Sequence, residues 1–429
     1  MLNSEPEAGR RALSSRLPGI VLGLLLMATA AGLAIGSRAA PFYLGAMLLA
    51  SLALGDRERI ARLFQPSRTS LLVPLALLIG YAAISASWAR EPLAALEKAA
   101  IAVAVVLATT VCIAAVDIED RVARLHIAEG LWLGFAVALA YSIFESLSGQ
   151  AGVRAVVNAL GLGPGWMKPP DFYTFRDGRL IAIDRNAMSR NIAPLTLLLW
   201  PALMAVRSYV RPRPAAGIMA LLLVATAVAV MISPHETSKL ALVIGLAAWL
   251  FTRYLPRAAL PTMRASWVAA CVLVIPMAIA LHEAGLHKQK WLQFSARHRI
   301  EIWNHSARDT LASPIFGNGA MSTYATIESV PPDRRSYLTP PHQHNVFLQV
   351  WNELGVVGAL LLLALGWRFL GVIAGLAPRL QPYACAFMAS AAAVAASSYG
   401  IWQIWFLALY GIAALAFMVG VTAHRDRPQ

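Results

Sequence analysis

Apolar stretches of about twenty residues recur along the 429-residue chain, separated by short basic or polar breaks. That length lets an α-helix cross the ~30 Å hydrocarbon core of a bilayer. The pattern predicts twelve spans, near residues 18–36, 41–54, 70–88, 93–115, 125–147, 191–206, 215–232, 240–252, 265–283, 345–366, 380–397 and 403–422. Leu, Ala, Val and Ile fill them without the two-residue alternation of a membrane strand, so the expected fold class is all-α, a polytopic bundle and not a barrel. Two polar segments interrupt the series, at 148–190 and 284–344. The chain therefore reads as one transmembrane helical domain over 1–429 carrying two long segments on one side. No internal repeat stands out.

Composition agrees, at 58% hydrophobic and 14% charged. The net charge of +14 would suit nucleic acid, but in a membrane protein the placement of the cations matters more than their sum. With the amino terminus inside, 19 of the 36 Lys and Arg fall in inward segments, and the short outward loops hold only Arg38, Arg90, Lys98 and Lys239. The rest lie in the two long segments, which are translocated largely regardless of charge. Both termini are then expected in the cytoplasm, with no nucleic-acid partner. The first apolar run is read as a retained span and not a cleaved signal, because it is long for a signal core and the alternation requires it. Cys112, Cys271 and Cys385 each sit inside an apolar run, so neither disulfides nor metal ligation is expected.

Within 284–344, Trp291 to Thr310 has few breakers and suits an amphipathic helix. Pro314, Gly317, Gly319, Pro331, Pro332, Pro340 and Pro341 make the remainder irregular, and long loops of this kind commonly carry function. Four outward places hold polar residues that hydropathy does not require, and the topology puts all four on one side.

The first is Asp184-Arg185-Asn186-Ala-Met-Ser189-Arg190-Asn191, where Arg190 meets a helix start suited to an anion and Arg185 and Asn186 stand ready to bind substrate. An arginine snorkelling to the headgroups is the bland alternative. The second is the hairpin Ser233-Pro234-His235-Glu236-Thr237-Ser238-Lys239, with Lys239 as a candidate phosphate contact or simply part of a polar turn. The third is Arg297-His298-Arg299-Ile-Glu301-Ile-Trp303; on a helix Arg299 and Trp303 share a face, a cation beside an aromatic platform for a sugar ring, unless the run is only a solvated face. The fourth begins His342-Gln-His344-Asn345. Pro340 and Pro341 block helix upstream, so His344 and Asn345 fall at the start of the tenth span, where the positive helix end favours a neutral imidazole. His344 is the candidate general base, with His342 its competitor. Leu348 and Trp351 lie on the stripe of His344, whereas Glu353 points away from it and is expected to hold helices together.

The pattern His344-Asn345-x-x-Leu348-x-x-x-x-Glu353-x-Gly355, preceded by Arg299-x-x-x-Trp303 and Pro314-x-x-Gly317-x-Gly319, resembles the O-antigen ligase and O-antigen polymerase superfamily of bacterial inner membranes. Twelve spans with a large outward loop before the histidine motif match it too. The motif-bearing part covers roughly residues 185 to 366. The run from Ser189-Arg190 to Trp200-Pro201 resembles the ligase-type segment, whereas Thr237-Ser238-Lys239 stands where members often show Ser-Arg-Gly.

The resemblance implies a membrane-embedded glycosyltransferase of the C type that needs no cofactor, nucleotide sugar or obligatory metal. Its expected donor is polysaccharide on undecaprenyl pyrophosphate and its acceptor a sugar hydroxyl of lipid A-core oligosaccharide. The site would face the periplasm, among membrane lipids. Arg190 and Arg299 would stabilise the leaving pyrophosphate and His344 would deprotonate the acceptor. An O-antigen polymerase or a protein O-oligosaccharyltransferase would share this chemistry and differ in acceptor. A lipid-linked glycan transporter is the non-enzymatic alternative, although it would place ionisable groups near the middle of its spans.

Overall fold

A computed structural model describes residues 5–54, 57–63, 71–166, 172–323 and 342–425. Each predicted span coincides with a helix: α1 (Glu5–Ile35), α2 (Ala40–Ala53), α4 (Leu72–Ile84), α5 (Pro92–Asp117), α6 (Arg121–Leu147), α8 (Ala193–Tyr209), α9 (Pro212–Ile232), α10 (Glu236–Tyr254), α11 (Pro256–Glu283), α13 (Val346–Ala374), α14 (Gln381–Ser397) and α15 (Ile404–Arg425). Among the described residues there are also the shorter helices α3 (Arg57–Leu63), α7 (Ala151–Ala159) and α12 (Phe294–Thr310) and an antiparallel hairpin of β1 (Tyr173–Arg176) and β2 (Arg179–Ile183). Among the described residues, eight helices are long and apolar enough to cross a membrane. The chain is a multi-pass, all-α membrane protein.

Proline opens many of the helices, at the first or second position of α2, α5, α8, α9, α11 and α14, where its missing N–H costs nothing. Asp120 caps α6 by accepting from the Ala123 amide at 2.8 Å. Helices α1 and α6 approach through small residues, so that a Cβ on Gly130 would stand 2.0 Å from the Gly23 carbonyl oxygen. The centre of the bundle is the span from Ser189 to Tyr209, 89% buried, whereas the span of α11 is 11% buried and faces outward. The Leu-rich sixth span is thus a core helix, which is what a helix apolar on all sides becomes when others surround it. Its Trp200 indole donates to Ser390 at 2.8 Å, and Ser390 donates to the Ala241 carbonyl at 2.9 Å, a relay that pairs these buried groups between α8, α10 and α14.

Hydrogen bonds between distant loops gather the segments expected outside at one end of the bundle. Ser37 bonds Asn191, the Ala320 amide donates to Ser85, Thr237 donates to the Ser397 carbonyl, and His344 donates to the Ser398 carbonyl. Contacts at the starts of α1 and α6, and between Ser208 and His424, lie at the other end.

The glycine motifs prove to be one joint. Helix α13 breaks at Gly355, whose φ of 62° and ψ of −158° suit a residue without a side chain. The turn Pro314–Gly319 docks there: Asn318 and Gly319 amides donate to the Asn352 and Glu353 carbonyls at 2.9 and 2.8 Å, and Val356 donates to Pro314 at 2.9 Å. A Cβ on Gly355 would lie 2.3 Å from the Ile315 carbonyl oxygen, and one on Gly317, itself at φ 72°, 2.4 Å from the Glu353 carbonyl carbon. The two glycine motifs are spaced as they are because each is the other's packing surface. Pro331, Pro332, Pro340 and Pro341 lie outside the described residues.

Candidate active site

A cavity of about 390 Å³ opens at the end where these loops gather. All four polar places contribute to it: Asn186 and Ser189 from the turn before α8, His235, Glu236 and Thr237 from the hairpin before α10, Gln293, Ser295 and Arg299 from the start of α12, and His344 from the turn before α13. Ser398 and Tyr399, between α14 and α15, close it.

His344 is not part of helix α13. Asn345 is the N-cap, its side-chain oxygen accepting from the Leu348 amide at 3.1 Å, and His344 precedes it at φ 54°. That positive φ, uncommon outside glycine, turns the ring off the helix stripe and into the cavity, so Leu348 and Trp351 are not its face-mates. The Ser398 carbonyl receives a hydrogen bond from His344 Nδ1 at 2.6 Å. A carbonyl can only accept, so Nδ1 carries the proton and Nε2 keeps its lone pair. Burial, and after it the charge of Arg299, lower the proton affinity of the imidazole to a pKa of about 4 despite the Ser398 bond. The neutral form expected from the sequence is present, but desolvation is its main cause.

His342 does not reach the cavity. It is 5% exposed, its ring packs edge-on against His344 at 4.1 Å, and its Nδ1 accepts the His344 amide at 3.3 Å. Its pKa falls to about 3, chiefly through burial. Of the two histidines only His344 lines the cavity, and His342 supports its backbone.

Arg299 is half-buried, its pKa lowered mainly by that burial, and among the described residues it has no hydrogen-bond acceptor or ion-pair partner. Arg190 is not among the lining residues, but its charge is felt by Arg38, His235 and Tyr399 around the cavity. Buried, unneutralised guanidinium groups are costly unless an anion completes them.

The other candidates divide. Asn186 lines the cavity, and Arg185 beside it is exposed. Lys239 pairs with Glu236 at 2.8 Å, a local bond that occupies both charges. Arg297 lies over the Phe294 ring at 5.9 Å. Trp303 does not offer a platform to a sugar here: its indole donates to the Gln343 carbonyl at 2.9 Å and ties α12 to the histidine turn. Asn345 is occupied as the helix cap.

Three contributors escaped sequence reasoning. His235, with a pKa lowered to about 4 by burial and then by Arg299, bonds Ser238 at 2.7 Å and lies parallel to the Tyr399 ring. Tyr399 is held protonated by burial, its pKa pushed up to about 12. Arg38 is brought beside Arg190 because Asn191 accepts from the Ser37 amide and hydroxyl at 3.0 and 2.9 Å and donates to the Ile35 carbonyl at 2.8 Å. The polar breaks Gly36-Ser37-Arg38 and Ser397-Ser398-Tyr399-Gly400 were the available signal. Among the described residues no group of three or more His, Cys, Asp or Glu is arranged to hold a metal.

A multi-pass helical membrane protein with a neutral histidine and an arginine that lacks an acceptor among the described residues, in a cavity at one end, is the class these features define. Residues 197–363 match the family model described as O-antigen ligase. The chain is similar to a provisionally named polysaccharide ligase of Rickettsia conorii, 29% identical over 241 residues, which is 54% of this chain and 57% of that protein. A counterpart of Rickettsia felis is 28% identical over the same shares, and one of Rickettsia prowazekii is 35% identical over 134 residues, 29% of this chain and 32% of the relative. The matched region thus spans little more than half the length of the first two relatives and about a third of the other. The part of the chain that is similar to the O-antigen ligase family model includes Arg299, His344 and the glycine joint.

Proposed function

We propose that the protein is a glycosyltransferase that moves polysaccharide from undecaprenyl pyrophosphate to a sugar hydroxyl of lipid A-core oligosaccharide, on the periplasmic face of a bacterial inner membrane. The observation that carries this reading is the union, in one cavity, of a neutral imidazole with a fixed tautomer and a guanidinium that lacks an acceptor.

The acceptor oxygen attacks the anomeric carbon as its proton passes to His344 Nε2, and the bond from that carbon to the pyrophosphate oxygen breaks. The displaced undecaprenyl pyrophosphate carries away the electron pair, and Arg299 and Arg190, with Arg38 behind, receive its charge where it develops. The imidazolium then returns the proton to water. A single displacement inverts the anomeric configuration. Glu236 is the one carboxylate among the described lining residues and is already paired with Lys239, which leaves no nucleophile and acid pair for a retaining route.

A base with a pKa near 4 is weak, but the donor corrects it. Pyrophosphate bound at Arg299 offsets the cation that depresses His344, so binding the donor raises the basicity of the catalyst.

The test is transfer by purified protein in detergent, with undecaprenyl-linked glycan offered in parallel with lipid A-core, a second lipid-linked repeat or an acceptor peptide. Product on lipid A-core with inverted linkage is expected. Product only on the repeat or the peptide would reassign the acceptor, and no transfer to any of them would refute the reading.

A further inference from the structure

Glu353 is the motif residue that the reaction leaves unused. It is 1% exposed, and four donors converge on its carboxylate: the Met321 amide at 3.2 Å, the Thr323 hydroxyl at 3.2 Å, Gln349 Nε2 at 3.0 Å and the Trp402 indole. Gln349, one turn earlier and fully buried, is oriented by that contact. With its nitrogen turned to Glu353, its oxygen faces the opposite way and accepts the Ile401 amide at 3.0 Å.

Ile401 and Trp402 belong to the same short loop as Ser398, whose carbonyl holds His344 Nδ1. The loop's other end is fixed by Thr237 donating to the Ser397 carbonyl at 2.7 Å. Between these anchors Gly400 lies so close to the histidine turn that a Cβ would stand 2.7 Å from His342 Cβ and 3.4 Å from Gln349 Oε1. Tyr399, in the same loop, reaches the cavity. If holding helices together were the only need, an apolar plug would serve as well as a buried carboxylate. Here every donor comes from the segments that enclose the histidine turn.

We infer that Glu353 and Gln349 are positioning residues for the base: they anchor the loop 398–402, and that loop presents the one carbonyl that keeps His344 as its Nδ1–H tautomer. A neutral imidazole exists in two tautomers, and the partner of one nitrogen decides which is populated. Without the Ser398 carbonyl in place, His344 also populates the Nε2–H form, which has no lone pair to offer the acceptor. The inference rests on His344 acting as the base, but its first readout does not depend on activity.

The experiment uses the full chain in detergent with ¹⁵N-labelled histidine, the His344 signals being assigned by their loss in His344→Gln. The ring ¹⁵N shifts report the tautomer, and lipid-linked glycan transfer reports kcat and KM. Wild type is expected as the Nδ1–H form alone. Glu353→Gln, which puts an amide N–H among four donors, and Gln349→Leu are expected to show both tautomers. Their kcat should fall about tenfold to a hundredfold with donor KM within about twofold of wild type. Should either variant fail to fold, Trp402→Phe removes a single donor and leaves the carboxylate in place, with the same shift expected in smaller degree. Folded variants with an unchanged tautomer and kcat would overturn the inference, reducing Glu353 to a packing role. Wild-type protein that shows the single tautomer but no transfer would refute the proposed function and leave the positioning intact.

Discussion

Replacing Arg299 by glutamine separates two effects that a single residue produces. Arg299 stands in the cavity wall, half-buried and without an acceptor among the described residues, and its charge lowers the pKa of both His344 and His235. A guanidinium donating two charge-assisted hydrogen bonds to a leaving pyrophosphate is worth about 1.5–3 kcal/mol for each bond. Glutamine can replace one of them, without charge. Loss of transition-state stabilisation of about 3–4 kcal/mol follows, a fall in kcat of roughly 10²- to 10³-fold. The same change removes the second-largest cause that lowers the His344 pKa, so the acid limb of kcat/KM should move up from about 4. It should stop short of 6.5, because burial is the larger cause and survives the substitution. The assay is transfer at saturating acceptor across pH 4 to 8, in wild type and Arg299→Gln. A variant whose rate falls with an unmoved acid limb would show that Arg299 does not face His344, and a variant with full rate would remove it from the leaving-group site.

Other substitutions follow from the same geometry. His344→Ala should lower transfer by about 10²- to 10⁴-fold in protein that inserts normally, while Arg185→Ala, at an exposed residue, should retain most activity; equal losses would undo the assignment of the base. Arg190→Lys keeps charge and loses the fork, so a residual rate well below wild type is expected, and full activity would show that only a point charge is needed. Acid should also destabilise the fold: His235, His342 and His344 have folded-state pKa values of about 4, 3 and 4, below the ordinary 6.5, so the unfolded chain takes up protons first as pH falls below 6.5. Stability should then be flat above about pH 7 and fall by up to ~1.4 kcal/mol per pH unit for each histidine between 6.5 and 4. A melting temperature that rises over that range on acidification would contradict this.

Hydropathy put a helix at each of the twelve predicted places, eight of them long and apolar enough to cross a membrane among the described residues, because crossing a bilayer needs a helix of fixed length whatever surrounds it. It could not tell that the sixth span is the buried centre and the ninth is peripheral, since Leu-rich helices look alike whether they meet lipid or protein. At the site, the alternation of spans was enough to expect Asn186, Arg299 and His344 at one end of the bundle, where all three line one cavity. What each side chain does there was less legible. Trp303 and Asn345 were read by their chemistry as substrate contacts, yet each has a backbone partner, on the histidine turn for Trp303 and in the first turn of α13 for Asn345. His344 was placed on the helix stripe, because a left-handed residue before an N-cap leaves no trace in periodicity. The loop at Ser398 was missed since its contribution is a backbone carbonyl, which every residue has. Glu353 was expected to hold elements together; it does so, through donors that lie around the base.

The convergence of Arg190, Arg299 and His344 on one lipid-linked donor is tested most directly by a cryo-electron microscopy structure of the protein with undecaprenyl pyrophosphate bound. The expected map has phosphate oxygens within ~3 Å of the Arg299 and Arg190 guanidinium groups, with His344 Nε2 facing the space left for the acceptor. A pyrophosphate lodged elsewhere, or a His344 turned away from it with Nδ1 free of the Ser398 carbonyl, would contradict the catalytic assignment.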